Sequence, residues 1–198
     1  FNFQNPFWEV IISYLNLAAS ALTLSTLTTR FVFPQFSLEG RRLWIIGLAP
    51  IGLNRVLGQK FTLSCTVAML ITVSLMIVSS AMLNLPWTKV AFFAVAIGFM
   101  SMALSGLAVG LGALFPNFRE ENPSKIVSGF GGTLCLVTSF IYITLFVGLV
   151  ALPDVRRVAN LNVPVPDAIP LATAVLLSIC VLMFPMAAAS ERVKRLEI

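Results

Sequence analysis

Five long apolar runs alternate along the chain with short polar segments: Val10–Thr29, Phe61–Leu83, Val90–Phe115, Ile126–Leu152 and Ile169–Ala189. None of them contains Asp, Glu, Lys, Arg or His. About 20 apolar residues carry a helix across the hydrocarbon core of a bilayer, so each run predicts a membrane span. All 13 Lys and Arg and all 8 Asp and Glu fall between or beyond the runs, and so do most of the prolines. Charges and helix breakers therefore mark the same boundaries by independent physical routes. The predicted fold class is all-α: one transmembrane domain, a polytopic membrane helix bundle of five transmembrane helices plus a cytoplasmic interfacial amphipathic helix.

That extra helix is predicted within Arg30–Lys60, a connection too polar to span and too apolar for a plain linker. Over Ser37–Leu48, Glu39, Arg41 and Arg42 precede Leu43, Trp44, Ile45 and Ile46, a pattern expected of an amphipathic helix lying in the interface with Trp44 at headgroup depth. Ala49-Pro50-Ile51-Gly52 then turns the chain, and a short helix bearing Arg55 and Lys60 leads into the second run. Such a segment either anchors the bundle to the bilayer surface or docks a cytoplasmic partner. The remaining connections are an external turn at Asn84–Lys89, an internal polar turn at Pro116–Lys125 and an external loop at Pro153–Pro170, expected to form a compact cap over the last two helices.

Composition narrows the function classes. The chain has 198 residues, 58% of them hydrophobic and 11% charged, where a soluble domain carries about 25% charged residues. A water-soluble globule, and with it the aqueous enzyme classes, is excluded. There is no histidine, which removes histidine-ligated metals and any Ser-His or Cys-His dyad. Cys65, Cys135 and Cys180 each sit inside an apolar run and read as small buried hydrophobes. No G-x-x-x-x-G-K-[ST] string occurs, so the chain carries no P-loop. Neither a metal nor a cofactor is expected, and the chain is not expected to be an enzyme.

The net charge of +5 follows the membrane rather than a nucleic acid. Arg30, Arg41, Arg42, Arg55, Lys60, Arg119, Lys125, Arg192, Lys194 and Arg195 lie on one side of the bundle, against Lys89, Arg156 and Arg157 on the other. Ten against three places the first side in the cytoplasm. The C-terminal tail is then cytoplasmic, the N-terminus external, and the expected location is the cell inner membrane. An external start at Phe1 without a signal region leads us to expect a fragment whose complete unit has one further upstream helix.

Ion-coupled carriers, proton relays and voltage sensors depend on ionisable residues inside the membrane, and the five runs have none. Any energy source has to act from outside the bilayer. The first run is nonetheless rich in small polar groups. Asn16, Ser20 and Thr23 are candidates for lining a substrate path, with helix packing as the alternative for the hydroxyls. Asn16 stands apart because an amide in hydrocarbon requires a partner. Gly106 and Gly110, and the Gly129–Gly132 cluster, are spaced for close helix packing, the latter also for a hinge.

Two loops resemble a known family. FPQFSLEGRRLWIIGLAPI (Phe33–Ile51) and LGALFPNFREENPSKIVSGFGGTL (Leu111–Leu134) are similar to segments of bacterial ABC exporter permeases of the type-2 class, in a branch with SLEGR-x-x-W-x-x-x-x-AP and FP-x-F-x-x-x-NP-x-K-I strings. The resemblance implies a six-span permease half in which the present five helices are the second to sixth. It also implies that 30–60 is the coupling segment receiving an ABC ATPase subunit. Glu39, Arg41 and Arg42 would make its polar contacts and Trp44 its membrane anchor, while Arg119, Glu120 and Glu121 approach the same partner or form a solvated turn. A second permease half, identical or homologous, is implied as well. The competing expectation is a non-transporting accessory or scaffold subunit of a larger membrane complex. Lipids, peptides and amphipathic drugs suit the apolar, hydroxyl-dotted walls equally well.

Overall fold

A computed structural model describes residues 6–40, 53–118, 120, 122–159 and 166–194. Its elements are α1 (Pro6–Leu27), a π-helical turn (Thr28–Val32), the single turn α2 (Gln35–Leu38), α3 (Leu53–Met82), α4 (Trp87–Leu114), the short α5 (Pro123–Val127), α6 (Phe130–Val158) and α7 (Ala168–Lys194). No strand occurs among the described residues. Among the described residues, five helical stretches are long and apolar enough to cross a membrane: Phe7–Leu38, Arg55–Met82, Trp87–Leu114, Phe130–Val158 and Ala168–Val193. The all-α membrane bundle read from the apolar runs is the architecture found.

α4 is its axis. The helix is apolar all round, and a helix of that kind belongs in the interior. From Ala96 to Ala113 nearly every residue is buried, with α3, α6 and α7 packed around it. Small residues make this possible. A Cβ on Gly110 would stand 2.6 Å from Pro185 Cβ and 2.7 Å from the Pro185 carbonyl carbon, so α4 and α7 meet there backbone to backbone. Gly106 is closed off by Leu182, and Gly112 by the Phe33 carbonyl. The glycine spacing in the third run is thus packing chemistry.

With no water inside a bilayer, buried hydroxyls need protein partners. Thr72 and Ser101 pair at 2.9 Å between α3 and α4. Tyr142 and Ser178 pair at 2.8 Å between α6 and α7.

Three boundaries differ from the sequence expectation. The fourth span begins at Phe130, not Ile126. Asn122 caps α5 by accepting from Ser124 N at 3.0 Å, Pro123 occupies the first helical turn, and the chain breaks at Gly129 in an extended conformation (ψ 174°) before α6 starts. Hydropathy is continuous across that break, so it leaves no trace in the apolar pattern. The expected loop from Pro153 is in fact helix: α6 continues to Val158 with Pro153 buried inside it, while 160–165 lie outside the described residues. Finally, the expected interfacial helix over Ser37–Leu48 is helical at Gln35–Leu38, ahead of a turn at Glu39. Phe36 and Ser37 are buried there against the C-terminal end of α4 rather than lying on a surface. Residues 41–52, which carry the rest of that expectation, are outside the described residues.

Candidate functional site

The seam between α1 and α3 is open. At its N-terminal end, called outer because it lies opposite the basic end, α1 is tied to its other neighbours. Lys89 Nζ donates to Glu9 Oε1 at 3.0 Å from the start of α4. The Tyr14 hydroxyl reaches Asp154 Oδ2 at 3.0 Å and the Val150 carbonyl at 3.2 Å on α6. Tyr14 also packs edge-on to Phe93. These contacts fix α1 against α4 and α6; toward α3 it meets Ser79 through Asn16, with hollows forming a trough along the seam on either side of that bond.

The trough is made of three hollows. The outer one, about 630 Å³, is lined by Glu9, Ser13 and the Met82–Pro86 turn. The middle one, about 600 Å³, holds Asn16, Ala19, Ser20 and Thr23 of α1 opposite Ile71, Ser74, Leu75, Val78 and Ser79 of α3. The inner one, about 410 Å³, runs from Leu24 to Gln35 against Leu63–Thr72. Met82 belongs to both the outer and middle hollows, and Ile71 to both the middle and inner ones. On α1 the lining extends from Glu9 to Leu27, about 27 Å at 1.5 Å per residue, close to the roughly 30 Å hydrocarbon core.

The three path residues read from the first run, Asn16, Ser20 and Thr23, therefore share one wall of the middle hollow. The partner demanded by Asn16 is Ser79, whose Oγ donates to Asn16 Oδ1 at 2.6 Å. Ser74 and Ser79 were not singled out from the sequence. Their signal is faint: two serines five positions apart among several hydroxyls of α3, opposite an amide whose position in space only the fold supplies.

At the basic end, α2, the segment after α4 and the end of α7 converge. The Asn117 backbone N–H donates to Ser37 Oγ at 3.1 Å. Gly40 lies against the Phe118 ring, and the Arg192 guanidinium donates to the Leu114 carbonyl. Of the expected docking residues, Glu39 is ion-paired with Lys60 of α3 at 2.7 Å, with Lys60 mostly buried. Glu120 stands 3.7 Å from Lys125 in an exposed pair. Arg41, Arg42, Trp44, Arg119 and Glu121 lie outside the described residues. Among the described residues no three His, Cys, Asp or Glu side chains are grouped to hold a metal.

Against known proteins, a family model described as "Putative ATP-binding cassette" matches the chain over residues 1–198. No curated protein and no solved structure matches it.

Proposed function

The chain belongs to the Putative ATP-binding cassette family, and from that premise we propose that it is the membrane-spanning permease part of an ATP-driven exporter. The observation that carries the reading is one of space. The family match covers the whole chain, five membrane-length helices occupy most of it, and no G-x-x-x-x-G-K-[ST] string is present. ATP binding then falls to a separate ATPase part, and this chain contributes the conformational change.

The basic end faces the cytoplasm in this reading, which ten Lys and Arg against three support, and the membrane is the cell inner membrane. The ATPase docks on 30–60 through Glu39, Arg41 and Arg42, with Trp44 as anchor, and contacts the Arg119–Glu121 turn. A ligand shifts two conformations only through differential contacts. Here the contacts lead inward from the docking segment. Glu39 is paired to Lys60 on α3, and Phe36 is packed on α4, so displacement of the segment moves those helices relative to α1. The α1–α3 trough is the substrate path, and a second permease half closes it.

Purification of the full protein from its own membranes in mild detergent tests this. The expected result is a stoichiometric nucleotide-binding partner with vanadate-sensitive ATP hydrolysis. Recovery of other integral membrane proteins alone, without ATPase activity, overturns the exporter reading in favour of an accessory subunit.

A further inference from the structure

The π-helical turn at Thr28–Val32 holds one residue more than the helix around it. Its closing bond runs from the Phe33 N–H to the Thr28 carbonyl at 3.0 Å, five positions back, where an α-helix uses four. Such turns occur singly inside α-helices, frequently at functional sites. Helix continues on both sides, and Phe7–Leu38 forms one stretch. One residue corresponds to about 1.5 Å of rise and about 100° of rotation. If the wide turn closed to a regular α-turn, residues 33–40 would advance and rotate by that amount against α1.

What keeps the turn wide lies mostly downstream of it. Phe33 is fully buried: its carbonyl fills the space left by Gly112 of α4, and its ring tip Cζ stands 2.9 Å from where a Cβ on Gly131 of α6 would be. A side chain on either glycine would crowd this seat. Glu39 is paired with Lys60, and Ser37 Oγ accepts from the Asn117 N–H. Within the helix, the Thr28 hydroxyl donates to the Leu24 and Ser25 carbonyls at 3.0 and 3.1 Å, and Pro34 brings no N–H to the Arg30 carbonyl. A rotation of about 100° takes Phe33 out of its seat and breaks both pairs together. Packed contacts of this kind have discrete arrangements rather than a continuum. Thr28, Phe31, Val32 and Gln35 also line the inner hollow of the trough, so the same step re-forms that hollow.

We propose that the wide turn is a one-residue ratchet: residues 33–40 have two positions relative to α1, and passage between them reshapes the inner hollow. That a docked ATPase drives the step rests on the exporter reading. The two positions themselves do not, and they are measured without ATP or a partner, so the failure of one reading is distinguishable from the failure of the other.

The experiment measures distances by pulsed electron resonance in the purified full protein, with Cys65, Cys135 and Cys180 replaced by serine. One nitroxide sits at exposed Leu38 and the other at exposed Leu145 of α6 or Met183 of α7. Phe33→Ala empties the seat, and Gly112→Ala pushes the Phe33 backbone out of it by a separate route. Either should add a second population in which the Leu38 label has moved by about 8 Å, the displacement of a helix-surface group on a rotation of about 100°. Deletion of Phe31, exposed in the wide turn, removes the spare residue and leaves 33–40 in place. That variant should fold with Tm no lower than the parent and show the parent's distances, alone and combined with Phe33→Ala. Deletion of Ala19, in the regular part of α1, should instead lose the folded protein. Failure of the Phe31 deletion to fold, unshifted distances in folded Phe33→Ala and Gly112→Ala, or a second population that survives the deletion each overturns the proposal. If neither seat variant folds, amide exchange decides: deletion of Phe31 should slow exchange over 33–38, and rates equal to the parent's overturn the ratchet.

Discussion

Gly110 offers a sharp test of how the bundle is held together. In Gly110→Ala the new Cβ meets Pro185 Cβ at 2.6 Å, its carbonyl carbon at 2.7 Å and its carbonyl oxygen at 2.9 Å. Two of these atoms are backbone and the third belongs to a closed ring, so no rotamer change relieves the clash and α4 and α7 must move apart. Overpacking of this kind costs about 1–3 kcal/mol, and the rigid surroundings put the site at the upper end, about 3 kcal/mol. Ala recovers about 1 kcal/mol over Gly in a helix. The net expectation is a loss of about 2 kcal/mol, or about 4–8 °C in Tm for a chain of this length. Gly148 is the internal control. It also lies mid-helix, in α6, with no atom within 4 Å of its would-be Cβ, so Gly148→Ala should gain about 1 kcal/mol and raise Tm by about 2–4 °C. Thermal unfolding of both variants in the same detergent decides the matter. Equal shifts, or a Gly110→Ala protein as stable as the parent, would refute the close α4–α7 contact.

Other consequences follow from named contacts. In a double-mutant cycle, Thr72→Val and Ser101→Ala should couple by about 0.6 kcal/mol, with a ceiling near 1.7 kcal/mol; additive unfolding energies would mean that the 2.9 Å pair does not form. Tyr14→Phe removes the side-chain hydrogen bond from α1 to Asp154. It should destabilise the bundle by about 1–2 kcal/mol and speed amide exchange at the outer turn of α1 while leaving Ser20–Leu27 unchanged; Asp154→Asn, which keeps an acceptor, should do less. Arg41→Glu combined with Arg42→Glu should uncouple partner ATP hydrolysis from transport with insertion intact, and unchanged coupling would remove those residues from the docking role. Insertion is measured alongside because these arginines also weigh on topology.

Much of the bundle was legible in order along the chain. Each apolar run crosses as a helix because the free energy of moving a segment from water into hydrocarbon depends on that segment's own composition. For the same reason Asn16 announced its need for a partner, and the glycines at 106 and 110 announced a close approach. Loop ends were less legible. The Gly129 break and the helix through Pro153 are matters of backbone geometry, to which hydropathy is blind.

What only the tertiary structure decided is which faces meet. Lipid tails are as apolar as Leu, so nothing in an apolar run distinguishes a face against lipid from a face against another helix. The central position of α4, the burial of Phe36 and Ser37 beneath it, and the pairing of Asn16 with Ser79 across 63 positions of sequence all depend on that choice. So does the trough. Its two walls, on α1 and α3, are brought together by pairs far apart in the chain, Asn16 and Ser79 among them. Composition determined that this chain lives in a membrane; side-chain pairing between helices determined where it can hold something there.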